Sequence, residues 1–329
     1  LEKSARINVL LTAVFFFGVK ICQGTGCGLL LLLCASNHVY ALSPVRSEQA
    51  NVTIVLSEKN GFYEEFSDAL DTQLSASGVS HRVIDSSGSI PDSGLVIGVG
   101  MKAAVVVAAS NAASVINVLI TNASHNKLLH DFPDRATSRN ISAIYLNQPV
   151  YRQLGLVTAI LPGKHNVGIL YSNQSTELED VRQVLNEHHL KVQEQKVDQT
   201  HSLADSLQEI LLGRSEMLLA IPDAAVYNDS SIRNILLATY RRGIPLIGYS
   251  SGYVKAGALC AVYSTPAQIA AQAARLIIKF NETHKLPAPQ YPREFKVMVN
   301  AQVADSLGLQ VKSASVLHDE IDSDTKDAQ

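Results

Sequence analysis

The chain has 329 residues, enough for two lobes that each enclose a core. Charged residues make up 17% of it, the formal net charge is -3, and Trp is absent. With no basic run and no cluster of aromatics, a nucleic-acid partner is excluded, and ring stacking must fall to Tyr or Phe.

Residues 1–41 have the pattern of a targeting segment. Lys3 and Arg6 precede an apolar run over 7–19, Lys20 and several glycines interrupt it, and a second apolar run covers 29–33. Val39-Tyr40-Ala41 then offers a cleavage site, so a cleaved signal peptide is expected. A retained membrane anchor and lipid attachment at Cys34 are the alternatives. All three place the folded part outside the cytoplasm, in a periplasmic or extracytoplasmic setting. Cys22, Cys27, Cys34 and Cys260 supply no zinc-ligand spacing, and removal of the leader leaves Cys260 as a small buried residue.

From residue 51 onward, short apolar strands alternate with amphipathic helices. Strands are expected at 52–56, 82–84, 95–99, 115–120, 143–146, 167–171, 192–197, 217–221, 245–248 and 296–299. A helix over 62–74 carries Phe62, Phe66, Ala69, Leu70 and Leu74 at helical spacing. This alternation predicts an α/β protein in which each lobe is a mostly parallel sheet flanked by helices. The first lobe is expected to hold residues 51–147 and 288–311, and the second 148–287. The Pro-rich stretch 286–292 serves as the return hinge, and 297–299 joins the first-lobe sheet. The polar, acidic residues 312–329 are expected to be disordered.

In open α/β sheets, ligands bind beyond the carboxyl ends of the strands, so the strand-end loops hold the candidate site residues. Ser57 opens the first such loop. The run Leu95 to Ala103 reads strand, G-x-G-x-x-A, helix, which is the dinucleotide fingerprint. That reading also needs an acidic residue at the end of the next strand. Thr121 and Asn122 stand there instead, and neither Asp nor Glu occurs between Gly100 and Asp131. Gly100 and Met101 are therefore expected to offer backbone N–H groups to a ligand carboxylate, and no cofactor is expected. Tyr145 is a candidate at the crossing between the lobes, and Tyr171 ends the first strand of the second lobe, where it either stacks on a ligand or packs at a sheet edge.

The most informative run is 222–265. A strand ends in Pro222-Asp223, a helix capped from Asp229, Ser230 or Ser231 stops at Gly243, and a short strand leads into Tyr249-Ser250-Ser251-Gly252-Tyr253. Asp223 either accepts from a ligand ammonium or caps the next turn, and Tyr227, Tyr249, Ser250 and Tyr253 provide rings and a hydroxyl. This run also resembles the ABC-transporter substrate-binding proteins that include tryptophan- and tyrosine-binding members. The likeness rests on Pro222 to Asn228, Gly243-Ile244-Pro245-Leu246, the segment Tyr253 to Leu259, and the late run Val299-Asn300, Ala304, Leu307-Gly308-Leu309. It is strong over roughly 140–309. Family members often carry a His-Pro-Ala-Leu-Asp-like first loop, and this chain has Ser57 to Gly61 there.

The resemblance implies a type I periplasmic-binding-protein clamshell that closes on a small solute. An amino acid with its ammonium on Asp223 would suit it, and a membrane permease would be its partner. An extracytoplasmic sensing module with the same cleft is the alternative. Neither a nucleophile elbow nor paired catalytic carboxylates occur, so enzymatic activity is not expected.

Overall fold

The computed structural model describes residues 51–175 and 177–327, and the expected targeting segment lies outside them. The first sheet is built from β1 (Val52–Leu56), α1 (Gly61–Ala76), β2 (His81–Asp85), β3 (Leu95–Val99), α2 (Met101–Ala109), β4 (Ser114–Ile120), α3 (Asn122–Asp131), α4 (Pro133–Ser138) and β5 (Ile141–Tyr145). Its order is β2-β1-β3-β4-β5, and every pairing is parallel. β1 and β3 are buried along their whole length and read as apolar runs but for Thr53, because both of their faces are covered by helices.

The chain crosses to the second sheet through α5 (Val150–Ile160). There follow β6 (Asn166–Tyr171), α6 (Leu178–Glu187), β7 (Lys191–Lys196), α7 (Leu203–Leu212), β8 (Met217–Leu219), α8 (Ile232–Arg241), β9 (Leu246–Gly248), α9 (Ser251–Ala256) and β10 (Cys260–Tyr263). α10 (Pro266–Thr283), β11 (Lys296–Val299), α11 (Ala301–Ser306) and α12 (Ala314–Asp327) complete the chain. The second sheet has the order β11-β10-β9-β8-β6-β7. It is parallel except where β11 runs antiparallel along β10.

The late part of the chain departs from the expected layout. α10 belongs with the first lobe: Ile269, Ala270, Ala273, Ala274, Ile277 and Phe280 join Phe66, Leu70 and Leu74 of α1 in one core. Thr265 and Gln268 form a capping box that starts α10 at the point of crossing. The next stretch meets the first sheet at Gln290, which pairs with the β5 edge, and at Tyr291, which packs on Tyr145. Residues 297–299 then join the second-lobe sheet, where Val297 and Val299 pack against its core, not the first-lobe sheet as expected. Residues 314–327 are helical where disorder was expected. Leu317 and Ile321, one turn apart, are buried in the core that includes Leu154 and Val157 of α5. Their apolar burial outweighs the acidic composition of the segment.

Candidate functional site

Each sheet has a point where the chain turns from one side to the other, and such points are the usual ligand crevices. In the first sheet that point lies between β1 and β3, and the protein fills it with its own atoms. Ser57 Oγ accepts the Ala103 N–H at 2.9 Å. Gly100 has φ 82, and a Cβ there would lie 2.5 Å from the Tyr63 ring and 2.7 Å from Ser57 Oγ. The glycine thus makes room for Tyr63. In the second sheet the point lies between β6 and β8, and Asp223 occupies it. Its carboxylate accepts from the Ser172 N–H at 2.7 Å, Ser172 Oγ at 3.1 Å, the Ala225 N–H at 3.0 Å, and Ser175 Oγ. Asp223 is 3% exposed, and its two bonds to Ser172 are buried.

The open space lies one or two strands further along each sheet. A cleft of about 470 Å³ is lined from the first lobe by Phe62 and Glu65 of α1, Thr121 after β4, and Leu146 and Asn147 after β5. From the second lobe come Pro222, Tyr249, Ser250, Ser251, Lys255 and the β10 end at Tyr263 and Ser264, together with Met298 of β11. Its walls are mainly apolar, and Glu65 and Lys255 are the charged groups among the lining residues.

Local folding explains how these groups are presented. The β4–β5 register shifts between Val118 and Ile120, and Leu119 adopts φ 57, so a bulge redirects the chain at Thr121. Thr121 then caps α3 by accepting the Ser124 N–H at 3.1 Å. Ser250 precedes α9 without making a side-chain cap bond, which leaves its hydroxyl for the cleft. Tyr249 and Tyr253 share a 2.7 Å hydroxyl contact, and burial pushes the Tyr249 phenol well above its ordinary value. Both phenols stay protonated at any physiological pH.

Asn147 links three parts of the molecule. Its Oδ1 accepts the Asn122 N–H at 3.0 Å, and its Nδ2 donates to Glu177 Oε1 at 2.9 Å. Asn122 Nδ2 in turn donates to the Tyr291 hydroxyl at 2.8 Å. Glu177 is buried at the N-terminal end of α6, and burial, with the Asp180 charge adding to it, pushes its carboxyl up to about 7. Nearby, Arg152 donates to the Pro292 carbonyl at 2.6 Å and to Gln148 at 2.9 Å, and it stacks 4.5 Å over the Phe295 ring. These contacts tie the first crossing to the last.

The model of the family described as ABC transporter substrate binding protein matches residues 75–320. The chain belongs to that family. Three solved structures share the architecture of this substrate-binding protein. A conserved domain protein from Vibrio cholerae is 19% identical, with a TM-score of 0.58 over 81% of this chain and 97% of its own. An ABC domain from Streptococcus pneumonia in complex with L-Trp is 17% identical, with a TM-score of 0.58 over 81% and 98%. The ligand-free, open structure of a substrate binding protein with adhesive properties from Clostridium difficile is 14% identical, with a TM-score of 0.64 over 80% and 96%. No curated protein matches the sequence. At these identities the likeness concerns the fold, which is that of type I periplasmic binding proteins.

Of the substrate-binding protein's sequence-predicted site residues, Thr121, Tyr249 and Ser250 line the cleft. Ser57, Gly100 and Asp223 sit in the self-filled crevices described above. Tyr227 is 3% exposed and packs in the second-lobe core under Tyr249 and Tyr253. Tyr253 supports Tyr249 from behind, and Met101 lies on the exposed face of α2. Asn122 is held by Tyr291, Tyr145 packs edge-on against Tyr291 at 5.0 Å, and Tyr171 packs on the second-lobe core. Sequence reasoning missed Phe62, Glu65, Lys255, Tyr263 and Met298. Phe62 and Glu65 share one helical face at the first strand-end loop, which was a usable signal. Tyr263 ends β10, a strand that the small-residue run before it did not announce.

Proposed function

We propose that this substrate-binding protein captures a small zwitterionic solute, an amino acid with an apolar or aromatic side chain, and presents it to the permease of an ABC importer. The observation that carries the reading is the cleft, where two lobes bring an apolar wall and one charge of each sign to the same cavity. Lys255 of the second lobe would hold the solute carboxylate, and Glu65 of the first its ammonium. Phe62, Tyr249 and Tyr263 would cover the side chain. Because the two charges come from different lobes, a zwitterion would gain both contacts only as the lobes draw together, which favours closure. The L-Trp complex of the pneumococcal neighbour supports this class of solute. The family's setting outside the cytoplasm agrees with the expected leader, and among the described residues no helix is long and apolar enough to cross a membrane.

A thermal-shift screen of the protein against the common amino acids tests this. A solute at about a hundredfold its Kd stabilises the native state by roughly 2.7 kcal/mol, or about 5 °C in Tm for roughly 280 ordered residues. Removing either charge, by Lys255→Ala or Glu65→Ala, should weaken binding about tenfold or more. Absence of a shift with every amino acid would overturn the reading.

A further inference from the structure

Asn147 lines the cleft, yet two of its polar positions are already committed. A backbone N–H can only donate and a carboxylate can only accept. The Asn122 N–H therefore demands Oδ1, and the Glu177 carboxylate demands Nδ2. With both in place the amide has a single orientation, leaving one N–H and one lone pair for a solute. We propose that Glu177, which does not itself line the cleft, is a positioning residue for solute binding that fixes the donor and acceptor pattern Asn147 presents. The assignment rests on the solute-binding reading of the cleft.

The device depends on the charge state of Glu177. A protonated carboxyl can donate as well as accept, so it no longer dictates which end of the Asn147 amide faces it. Only the Asn122 N–H then opposes a flip. Burial and one neighbouring carboxylate favour this loss, while the bond from Asn147 Nδ2 opposes it. Asp180, on the same helix, adds negative charge, and the Tyr291 phenol on the returning segment is itself pushed up to about 12 by burial, with the Glu177 charge contributing next. Among the described residues no cationic side chain forms an ion pair with Glu177. The acceptor-only carboxylate that demands Nδ2 is thus present above neutrality and is neutralised as pH falls through about 7, where its hold on the amide orientation weakens.

The test follows the Asn147 side-chain amide signals by NMR in the ligand-free protein, assigned by their loss in Asn147→Ala. Across about pH 5.5 to 8.5 they should titrate with an inflection close to that of Glu177. In Glu177→Gln they should be displaced and independent of pH. In parallel, calorimetry with L-tryptophan should show affinity about threefold to tenfold weaker at pH 6 than at pH 8, with the difference abolished in Glu177→Gln. Amide signals that ignore pH in the wild-type protein would overturn the proposal whether or not the variant folds. Signals that titrate without any tryptophan binding would uphold the orientation by Glu177 and refute tryptophan as the solute. Tryptophan binding that is unchanged by pH while the amide titrates would overturn the positioning role.

Discussion

Replacing Asp223 by Asn changes a single atom, and the structure makes that atom decisive. Each carboxylate oxygen faces one backbone N–H, Ser172 on Oδ2 and Ala225 on Oδ1, and each also faces a hydroxyl. The hydroxyls can turn to accept, but the backbone N–H groups cannot. Whichever way the Asn amide is placed, its NH2 opposes a backbone donor, and the side chain at this position is itself buried. One buried donor left unpaired costs about 1–3 kcal/mol, and losing the charge weakens the bonds that remain. A destabilisation of about 2–4 kcal/mol is therefore expected for Asp223→Asn, close to that of Asp223→Ala. Urea unfolding followed by circular dichroism reads this as a midpoint drop of about 1 M, for a slope of roughly 3 kcal/mol/M. The solute affinity of the folded fraction should change far less than in Lys255→Ala. An Asn variant within about 0.5 kcal/mol of wild type, which is the range of neutral surface changes, would refute the argument.

Gly100→Ala should cost about 2–4 kcal/mol, because a Cβ is disfavoured at φ 82 and meets the Tyr63 ring at 2.5 Å; the urea midpoint checks it. Leu317→Ala should cost about 2–5 kcal/mol, since the side chain is 0% exposed against α5, and proteolysis of the C-terminal segment should speed up with it. His125 is buried with no partner for either ring nitrogen among the described residues, and burial lowers it to about 4. The unfolded chain therefore takes up a proton near pH 6.5 that the native state refuses, and stability falls as pH drops from there toward 4. His125→Leu should remove that loss and be more stable than wild type by about 2 kcal/mol at pH 5, measured as a difference in unfolding free energy.

The two-sheet architecture was legible because its central strands are buried on both faces. VTIVL and LVIGV are apolar but for Thr53, which distinguishes them from the amphipathic helices between them. Direction and partner were not legible. The run at 296–299 carries a strand pattern, but nothing local says that it lies antiparallel beside β10. The period of α10 likewise shows an apolar face without saying which lobe receives it. The candidate site was read from the topological rule that favours the reversal points of the sheets. That rule leads to Ser57, Gly100 and Asp223, and here Tyr63 and the Ser172–Ser175 loop occupy those points. Such filling depends on contacts between loops far apart in sequence, which no spacing reveals. Thr121, Tyr249 and Ser250 were found because they end strands beside the space that remains.

The passage of α10 back to the first lobe also sets the order in which the molecule can be completed. Phe66, Leu70 and Leu74 of α1 wait for a cover that begins only at Pro266, roughly 190 residues later. At about 5–20 residues per second, a ribosome takes on the order of 10–40 s to supply it. During that interval the nascent first lobe exposes an apolar face while the strands of the second lobe emerge. A first-lobe fragment that ends before α10 therefore leaves the apolar face of α1 uncovered.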